Sequence, residues 1–237
     1  MRSTATKDLD GILGSSRNGP PIDQLSWEAQ SELESLKLPF DCPASTVLFI
    51  EEQAPDSILF LLTGQVKLSM NSCAGRRQIL GIANPGETLG LASALSGSPY
   101  DITAETLTQC RIAKINREIF IEFLARNPSA YKNLARELCL DCARACELVR
   151  RLGLAATAPA KLARLLLEWC AVGKATHRGT RLLCSLTHGE IGECIGVSRE
   201  TVTRILSDFK CQELLESRGS TLIISDRRAL EIYAGVS

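Results

Sequence analysis

The spacing of hydrophobic positions changes along the chain and divides it into three stretches. From Pro39 to Ile115, short apolar runs alternate with turn sequences, a pattern typical of antiparallel strands. From Asn127 to Gly153, apolar or small residues recur every three or four positions, which predicts one long helix. Beyond Gly153, helical spacing returns with short strand-like runs. The spacing therefore predicts a β domain, a connecting helix and a domain of helices with a hairpin.

The predicted strands lie in a sandwich or barrel of the jelly-roll type. They are the runs TVLFI, SILFLL, QVKLSM, RQILGI and CRIAKI, and the turn signals EEQAPD, NSCAGR and NPGE separate them. A short helix precedes them, with Ser26 as N-cap, Leu38 as its end, and Trp27, Leu33 and Leu36 as its apolar contacts. Residues 1–21 end in GSSRNGPP, and we expect a flexible arm there.

The long helix has the residue spacing of a dimer seam. We expect Asn127 to be its N-cap and Pro128 its first residue. Apolar or small residues then repeat at intervals of four and three: Tyr131, Ala135, Leu138, Cys142, Ala145, Val149 and Leu152. A helix buried in its own domain has the same spacing, so both interpretations stay open. We favour a homodimer joined through residues 128–152.

The stretch from Thr187 to Cys211 predicts a helix-turn-helix. THGE has the form of a capping box, in which the Thr187 hydroxyl meets the backbone near Glu190. The first helix runs from about His188 to Ile195, Gly196 permits a turn with positive φ, and Ser198 caps a second helix. Two short helices joined by a glycine turn place the second helix in the DNA major groove.

The outward face of the second helix carries side chains suited to DNA. We expect base contacts from Arg199, Glu200 and Arg204, because arginine pairs with guanine and glutamate accepts from cytosine. The turn 218–220 of the terminal hairpin would form a wing. Glu200 and Arg204 are four residues apart, so a solvent-exposed ion pair on an ordinary helix is the alternative. Hydroxyl groups near the helix starts are candidates for phosphate contacts: Thr187, Ser198, Thr201 and Thr203.

Charge and composition indicate which kind of partner the chain binds and in which cellular compartment it lies. The chain has 27 basic and 27 acidic residues, but residues 1–125 have ten basic and fifteen acidic, whereas residues 126–237 have seventeen basic and twelve acidic. This asymmetry favours an anionic partner for the C-terminal half. No apolar run is long enough to span a membrane and no signal peptide is apparent, so we expect a cytoplasmic protein with reduced cysteines.

LTHGEIGECIGVSRETVTRIL resembles the helix-turn-helix of the Crp/Fnr family of bacterial transcription regulators, and LLTGQVKL and NPGETLG are weaker local matches. The resemblance covers nearly all of residues 22–237. It implies an α+β chain in which a cyclic-nucleotide-binding-like β-roll (22–125), a dimerisation helix and hinge (126–153) and a winged helix-turn-helix (154–237) follow one another. It also implies a homodimer that reads a palindromic TGTGA-like site, with RNA polymerase as a further partner.

The predicted effector pocket departs from the cyclic-AMP-binding members that the chain resembles. Their pocket follows a Gly-Glu pair and ends in an arginine and a hydroxyl residue that hold the cyclic phosphate. Here the pair is Gly90-Leu91, and Tyr100 and Asp101 fall where those two residues should be. A buried phosphate needs charge-assisted donors, and Asp101 would repel it. We therefore do not expect cyclic AMP to bind in the usual pose.

Three cysteines form a stripe on the predicted dimer helix: Cys139, Cys142 and Cys146. Thiolates are ligands for an iron–sulfur cluster or zinc, with a fourth ligand from Asp141, Cys110 or a second subunit. Small apolar packing in the seam is the alternative, and we favour it. The N-terminal cysteines of the oxygen-sensing Fnr branch are absent, since the first cysteine is Cys42.

Three classes of function share some features with this sequence. A dimeric DNA-binding regulator gated by a small-molecule or redox signal explains both the polar helix face and the seam. A cyclic-nucleotide-binding module that controls a partner enzyme lacks the phosphate-binding pair. A thiol oxidoreductase would need its cysteines at a helix N-terminus, whereas Cys139 and Cys142 lie mid-helix. No catalytic constellation is present in the sequence, so we expect no enzymatic activity.

Overall fold

The structure is a computed structural model that describes residues 25–154, 157–171 and 173–235. The predicted arm, residues 1–21, lies outside the described residues. The chain forms two compact units that divide between Cys146 and Glu147. Within the described residues, every helix is too short or too polar to cross a lipid bilayer.

Two antiparallel sheets and flanking helices build the first unit, as the jelly-roll prediction requires. One sheet has the order β1-β8-β3-β6 and the other the order β2-β7-β4-β5. The strands are β1 (Leu38–Cys42), β2 (Val47–Phe49), β3 (Ser57–Thr63), β4 (Val66–Asn71), β5 (Arg77–Ala83), β6 (Thr88–Leu89), β7 (Thr103–Thr106) and β8 (Cys110–Asn116). The helices are α1 (Trp27–Leu36), α2 (Leu91–Ser96), α3 (Arg117–Arg126) and α4 (Ala130–Val149).

The apolar run of β3 is explained by burial on both of its faces. Successive side chains of a strand point to opposite sides. Ile58 and Phe60 pack with Leu33 of α1 and the phenylalanines of α3, whereas Leu59 and Leu61 pack with residues of the opposite sheet. β3 therefore contributes side chains to both hydrophobic clusters of this unit.

Three sequence predictions about α1 and α4 were wrong in detail. Ser26 does cap α1, accepting a hydrogen bond from the backbone of Ala29, but Trp27 is 79% exposed and Ala29 is buried in its place. α1 ends at Leu36, and Leu38, its predicted end, is the first residue of β1, where it pairs with Lys114 of β8. Asn127 ends α3 instead of starting the long helix, because its amide donates to the Phe123 carbonyl and to Glu32. α3 itself was not predicted, and α4 begins at Ala130.

The predicted seam lies on α4, with most of its side chains exposed in the single chain. Tyr131 is 49% exposed and Val149 is 65% exposed, and Cys142 is also exposed. The helix continues from Val149 into a π-helical turn over Arg150–Leu154, which contains the glycine that the sequence placed at a hinge.

Helices and a small sheet form the second unit. The helices are α5 (Ala158–Cys170), α6 (His188–Ile195), α7 (Arg199–Cys211) and α8 (Arg227–Ala234). The sheet has the order β11-β12-β10-β9, from β9 (Lys174–Thr176), β10 (Gly179–Leu183), β11 (Leu215–Arg218) and β12 (Thr221–Ile224). The helix-turn-helix and terminal hairpin are confirmed, while β9 and α8 were not predicted.

Candidate nucleic-acid interface

Local hydrogen bonds fix the start of α6 as the sequence predicted. The backbone N–H of Glu190 donates to the Thr187 hydroxyl at 3.2 Å, and the N–H of Thr187 donates to the Glu190 carboxylate at 2.9 Å. This reciprocal pair is the capping box. α6 ends at Gly196, whose φ of 70° is a left-handed conformation that glycine adopts without strain.

The second helix is held close to the first by a glycine and a buried stripe. A Cβ on Gly192 would lie 2.6 Å from the Val197 carbonyl oxygen, so only glycine allows this approach. α7 then starts at Ser198, which accepts from the backbone of Thr201 at 3.3 Å. The stripe that α7 buries is Val202, Ile205, Leu206 and Phe209.

The opposite face of α7 is an open, exposed polar surface, and the name recognition groove is used for it below. All three predicted base-reading side chains line it: Arg199, Glu200 and Arg204. Three further side chains that line it are Thr203, Ser207 and Asp208. Ser207 and Asp208 were not predicted, although their positions three and four residues beyond Arg204 place them on the same face of the helix.

The charges in the recognition groove are not paired with each other. In the part of the chain that the structure describes, no ion pair joins Glu200 to Arg204, so the alternative of a simple helix-surface ion pair is wrong. The pKa of the Glu200 carboxyl is lowered, first by its own backbone N–H, then by the Ser198 hydroxyl and the nearby Arg199. Glu200 is therefore an ionised acceptor and the arginines are donors with open hydrogen-bonding groups.

The predicted phosphate-contacting hydroxyls already donate their protons within the protein. Thr187 donates to Glu190 at 3.0 Å, and Thr203 donates to the Arg199 carbonyl at 2.9 Å. Ser198 and Thr201 share one hydrogen bond of 3.1 Å, and the Ser198 hydroxyl also donates to the Glu200 carboxylate, so both of their protons are used. Because a phosphate oxygen only accepts, a phosphate contact from any of these four hydroxyls requires an internal hydrogen bond to break.

The turn of the terminal hairpin lies between β11 and β12. Gly219 has a φ of 58°, and a Cβ there would meet nothing within 4 Å, so the backbone conformation and not crowding favours glycine. Arg218 is 3.8 Å from Glu216, and its side chain is 69% exposed. The turn thus presents a cation to solvent, as a wing would.

Tyr100 occupies the core where the sequence placed an effector pocket. Its ring stacks on Phe49 with centroids 4.0 Å apart, and its hydroxyl donates to the Ser57 carbonyl at 3.0 Å. A Cβ on Gly90 would lie 2.8 Å from the Tyr100 ring. Burial raises the pKa of the Tyr100 hydroxyl. Leu91 is also buried, whereas Asp101 is exposed.

The three cysteines of α4 do not form a metal site within one chain. Cys139, Cys142 and Cys146 are all exposed, and among the described residues no group of three or more His, Cys, Asp or Glu side chains could hold a metal ion. Cys110 is a core residue whose thiol donates to the Gln65 carbonyl at 3.3 Å, so it is not available to α4 as a fourth ligand.

Comparisons with known proteins agree with both units. The family model described as "Cyclic nucleotide-binding domain" matches residues 40–127, and the one described as "Crp-like helix-turn-helix domain" matches residues 160–233. A "CRP-like cAMP-activated global transcriptional regulator" of Mycobacterium tuberculosis is 28% identical over 193 residues, covering 81% of this chain and 86% of the relative. The corresponding regulator of Haemophilus influenzae is 25% identical over 187 residues, covering 78% and 83%.

Solved structures share the fold. FixK2 from Bradyrhizobium japonicum superposes with a TM-score of 0.74 at 22% identity, covering 83% of this chain and 96% of FixK2. A CooA variant from Carboxydothermus hydrogenoformans superposes with a TM-score of 0.75 at 17% identity, covering 94% and 99%. With the two domain matches in the same order and a helix-turn-helix whose caps, turn and exposed face are all in place, the chain belongs to the Crp/Fnr family of transcription regulators and has a helix-turn-helix DNA-binding domain.

Proposed function

We propose that this regulator is a homodimer that reads a palindromic, TGTGA-like site through Arg199, Glu200 and Arg204. The observation that carries the proposal is the recognition groove, where these three side chains share an exposed face. An arginine makes paired hydrogen bonds to guanine O6 and N7, and a carboxylate accepts from cytosine N4. Arg204 can therefore contact a guanine and ionised Glu200 a cytosine. The two bases belong either to one G·C pair or to two adjacent pairs.

Phosphate contacts would set the position of each subunit on the duplex. The candidates remain Thr187, Ser198, Thr201 and Thr203, together with the wing at Arg218. Since all four hydroxyl protons are used within the protein, phosphates would also meet the first backbone N–H groups of α6, which have no partner inside the helix. Gly189 has no side chain to cover them, and its Cβ position is open apart from the Thr187 hydroxyl at 3.8 Å.

The dimer would form through the seam of α4, within residues 128–152. Exposed apolar side chains at heptad spacing are unfavourable in water, and a second copy covers them with the same residues. Tyr131, Cys142 and Val149 are exposed in the single chain, which supports this partner. In such a dimer, two recognition helices about 34 Å apart would contact two half-sites that are separated by one turn of DNA.

The gating signal is proposed to be something other than cyclic AMP in the usual pose. The relatives from Mycobacterium tuberculosis and Haemophilus influenzae are described as cAMP-activated. In this chain, Tyr100 fills core space, and no arginine lies between Arg77 and Arg111 to hold a cyclic phosphate. A different small molecule in the β-roll, or oxidation of the exposed cysteines of α4, would change DNA affinity and the contact with RNA polymerase.

The redox alternative is an iron–sulfur cluster or other metal held by cysteines of both subunits. It is supported by the exposure of Cys139, Cys142 and Cys146 on one stripe. Anaerobic purification followed by metal analysis tests it. Coloured, oxygen-sensitive protein with bound iron supports the cluster, and a colourless, metal-free anaerobic preparation overturns it.

Selection of DNA from a random duplex pool tests the proposed function. The full chain is measured under reducing and oxidised conditions, and its mass in solution is determined by light scattering. We expect a dimer and an enriched palindrome with TGTGA-like half-sites. A protein that prefers no duplex over random competitor under either condition would contradict the proposal.

A further inference from the structure

His188 lies beside the recognition groove and has no role in the proposed base reading. It is the first residue of α6 and is half-buried. Its Nδ1 lies 2.9 Å from the hydroxyl of Thr203, which lines the groove. The imidazole ring thus joins the first helix of the helix-turn-helix to the DNA-facing side of the second.

The hydrogen bonds around Thr203 determine which imidazole nitrogen carries a proton. Thr203 has one hydroxyl proton, and it is donated to the Arg199 carbonyl at 2.9 Å. To keep that bond and the contact with His188 together, Nδ1 must be the donor. Nε2 is then a bare acceptor in the neutral ring and an N–H donor in the imidazolium.

We propose that Nε2 of His188 binds a DNA phosphate and does so as the imidazolium, so that DNA binding takes up a proton at each subunit. This inference rests on the proposed function, because it requires α6 to lie against the DNA backbone. A phosphate oxygen is negative and only accepts, so it repels the neutral Nε2 lone pair and attracts the Nε2–H of the cation. DNA affinity therefore falls when rising pH removes the Nε2 proton.

The neighbouring hydroxyls make His188 the better donor. Thr187 gives its proton to Glu190, and Thr203 gives its proton to Arg199. Neither can therefore serve a phosphate without breaking an internal hydrogen bond. The imidazolium satisfies Thr203 through Nδ1 and keeps Nε2–H for the phosphate, so no internal bond is lost.

The helices α5, α6 and α7 pack against one another and carry the charged groups of this region. On α6, the Glu190 carboxylate accepts from the backbone and hydroxyl of Thr187. On α5, Arg164 donates to the Ala234 carbonyl and Glu168 accepts from Arg151. The other charged side chains on these helices are Lys161 on α5, Glu193 on α6, and Arg199, Glu200, Arg204, Asp208 and Lys210 on α7.

The test is the pH dependence of DNA binding at constant ionic strength. Fluorescence anisotropy on the selected duplex measures the dissociation constant of the full chain from about pH 6 to about pH 8. For the wild type we expect the affinity to fall by about tenfold or more across this range. For His188→Gln we expect a pH-independent affinity close to the wild-type value at about pH 8, since an amide does not titrate. For His188→Lys we expect a pH-independent affinity tighter than wild type at about pH 8, because its charge is permanent.

Salt dependence shows whether the contact is with a phosphate. At about pH 6, the slope of log affinity against log salt should be smaller for His188→Gln than for wild type by about two per dimer, one phosphate for each subunit. At about pH 8 the two slopes should be equal. A side chain that only braces the two helices would not change the salt slope.

His177 provides the matched control, because it is the other histidine of the chain and lies exposed in the turn between β9 and β10. His177→Gln should retain the wild-type pH profile. Thermal melting confirms that each variant is folded, and His188→Asn replaces His188→Gln if that variant melts early. Specific binding with the same pH profile in wild type and the neutral variant overturns the inference and leaves the proposed function intact. A wild type without specific DNA binding overturns the proposed function itself.

Discussion

At the scale of single residues, the recognition groove keeps opposite charges close together without pairing them. Glu200 and Arg204 are one helical turn apart, yet no ion pair joins them among the described residues. Glu200 instead takes hydrogen bonds from its own backbone N–H and from Ser198. An acceptor and a donor are therefore held ready for different base edges.

The first prediction concerns Arg204. Arg204→Ala should weaken binding to a cognate half-site by about 1–3 kcal/mol and relax the preference for its guanine, because the paired hydrogen bonds to O6 and N7 are lost. Competition between cognate and guanine-substituted duplexes measures this discrimination. Arg218→Ala on the wing is the matched control, and it should weaken binding to all sequences alike. Unchanged discrimination in Arg204→Ala would refute the assignment.

The second prediction concerns Glu200. Glu200→Ala should relax selectivity at the cytosine position, because no acceptor remains for its N4 amino group. Binding to duplexes substituted at each half-site position gives the measurement. Asp208→Ala removes a second carboxylate from the same groove, two turns further from the helix N-terminus, and should leave that position selective. A uniform loss of affinity in Glu200→Ala over all duplexes would argue against a base contact.

The third prediction concerns Cys194. Burial in the helix-turn-helix raises the pKa of its thiol to about 12, so the thiol stays protonated near neutral pH. Iodoacetamide should label exposed Cys211 on α7 and spare Cys194 in the folded protein, as followed by mass spectrometry. Since the folded-state pKa lies above the ordinary value, the free energy of unfolding is unaffected below that value and falls as the pH rises toward 12. Equal labelling rates at the two cysteines would contradict this.

At the scale of elements, α4 leaves apolar side chains exposed along one side of the helix. Its buried side toward the β-roll includes Ala130 and Leu134, whereas seam residues such as Tyr131 and Val149 remain exposed. Helix propensity alone does not explain a helix of 20 residues with this exposed apolar side. A second copy packed along the seam would supply the missing burial.

The fourth prediction concerns this seam. Ala145→Glu places a charge where two copies of α4 would meet, and burying an unpaired charge is strongly unfavourable. We expect a monomer by light scattering and a loss of DNA affinity of about tenfold or more, since two half-sites are no longer bound together. Arg136→Glu introduces the same side chain at an exposed position off the seam and should remain dimeric. A dimeric Ala145→Glu would exclude the seam as the interface.

At the scale of the whole molecule, the chain combines a helix-turn-helix DNA-binding domain with a β-roll in which Tyr100 fills the core at the predicted effector region. The helix-turn-helix retains its caps, turn glycine and exposed polar face. In the β-roll, Tyr100 is 3% exposed and is packed against Phe49 and Gly90. We therefore expect this chain to bind DNA in response to a signal that differs from that of the cAMP-activated relatives.

The fifth prediction concerns this signal. A ligand that binds the folded state raises its stability with concentration, so a bound nucleotide would raise the melting temperature. Cyclic AMP at about 1 mM should leave both the melting temperature and the affinity for the selected duplex unchanged. Thermal melting and fluorescence anisotropy, with and without the nucleotide, provide the check. A clear upward shift in melting temperature would show that the β-roll accepts cyclic AMP after all.

The sequence by itself determined the features that depend on a few neighbouring residues. The capping box at Thr187, the left-handed turn at Gly196 and the cap at Ser198 all depend on contacts within four residues, and each was predicted correctly. Five strands of the β-roll were also predicted, because their spacing reflects burial on the faces of a sheet, whereas β1, β6 and β7 were not.

Only the tertiary structure decided features that depend on contacts between residues distant in sequence. Trp27 satisfied the helical pattern but is exposed, because Ala29 and Leu33 face the core. Asn127 has the composition of an N-cap, yet its contacts with α1 and α3 make it a helix end. The bond from His188 to Thr203 spans 15 residues and two helices. Local patterns specify which hydrogen bonds and burial are available to a segment, whereas packing selects which of them are formed.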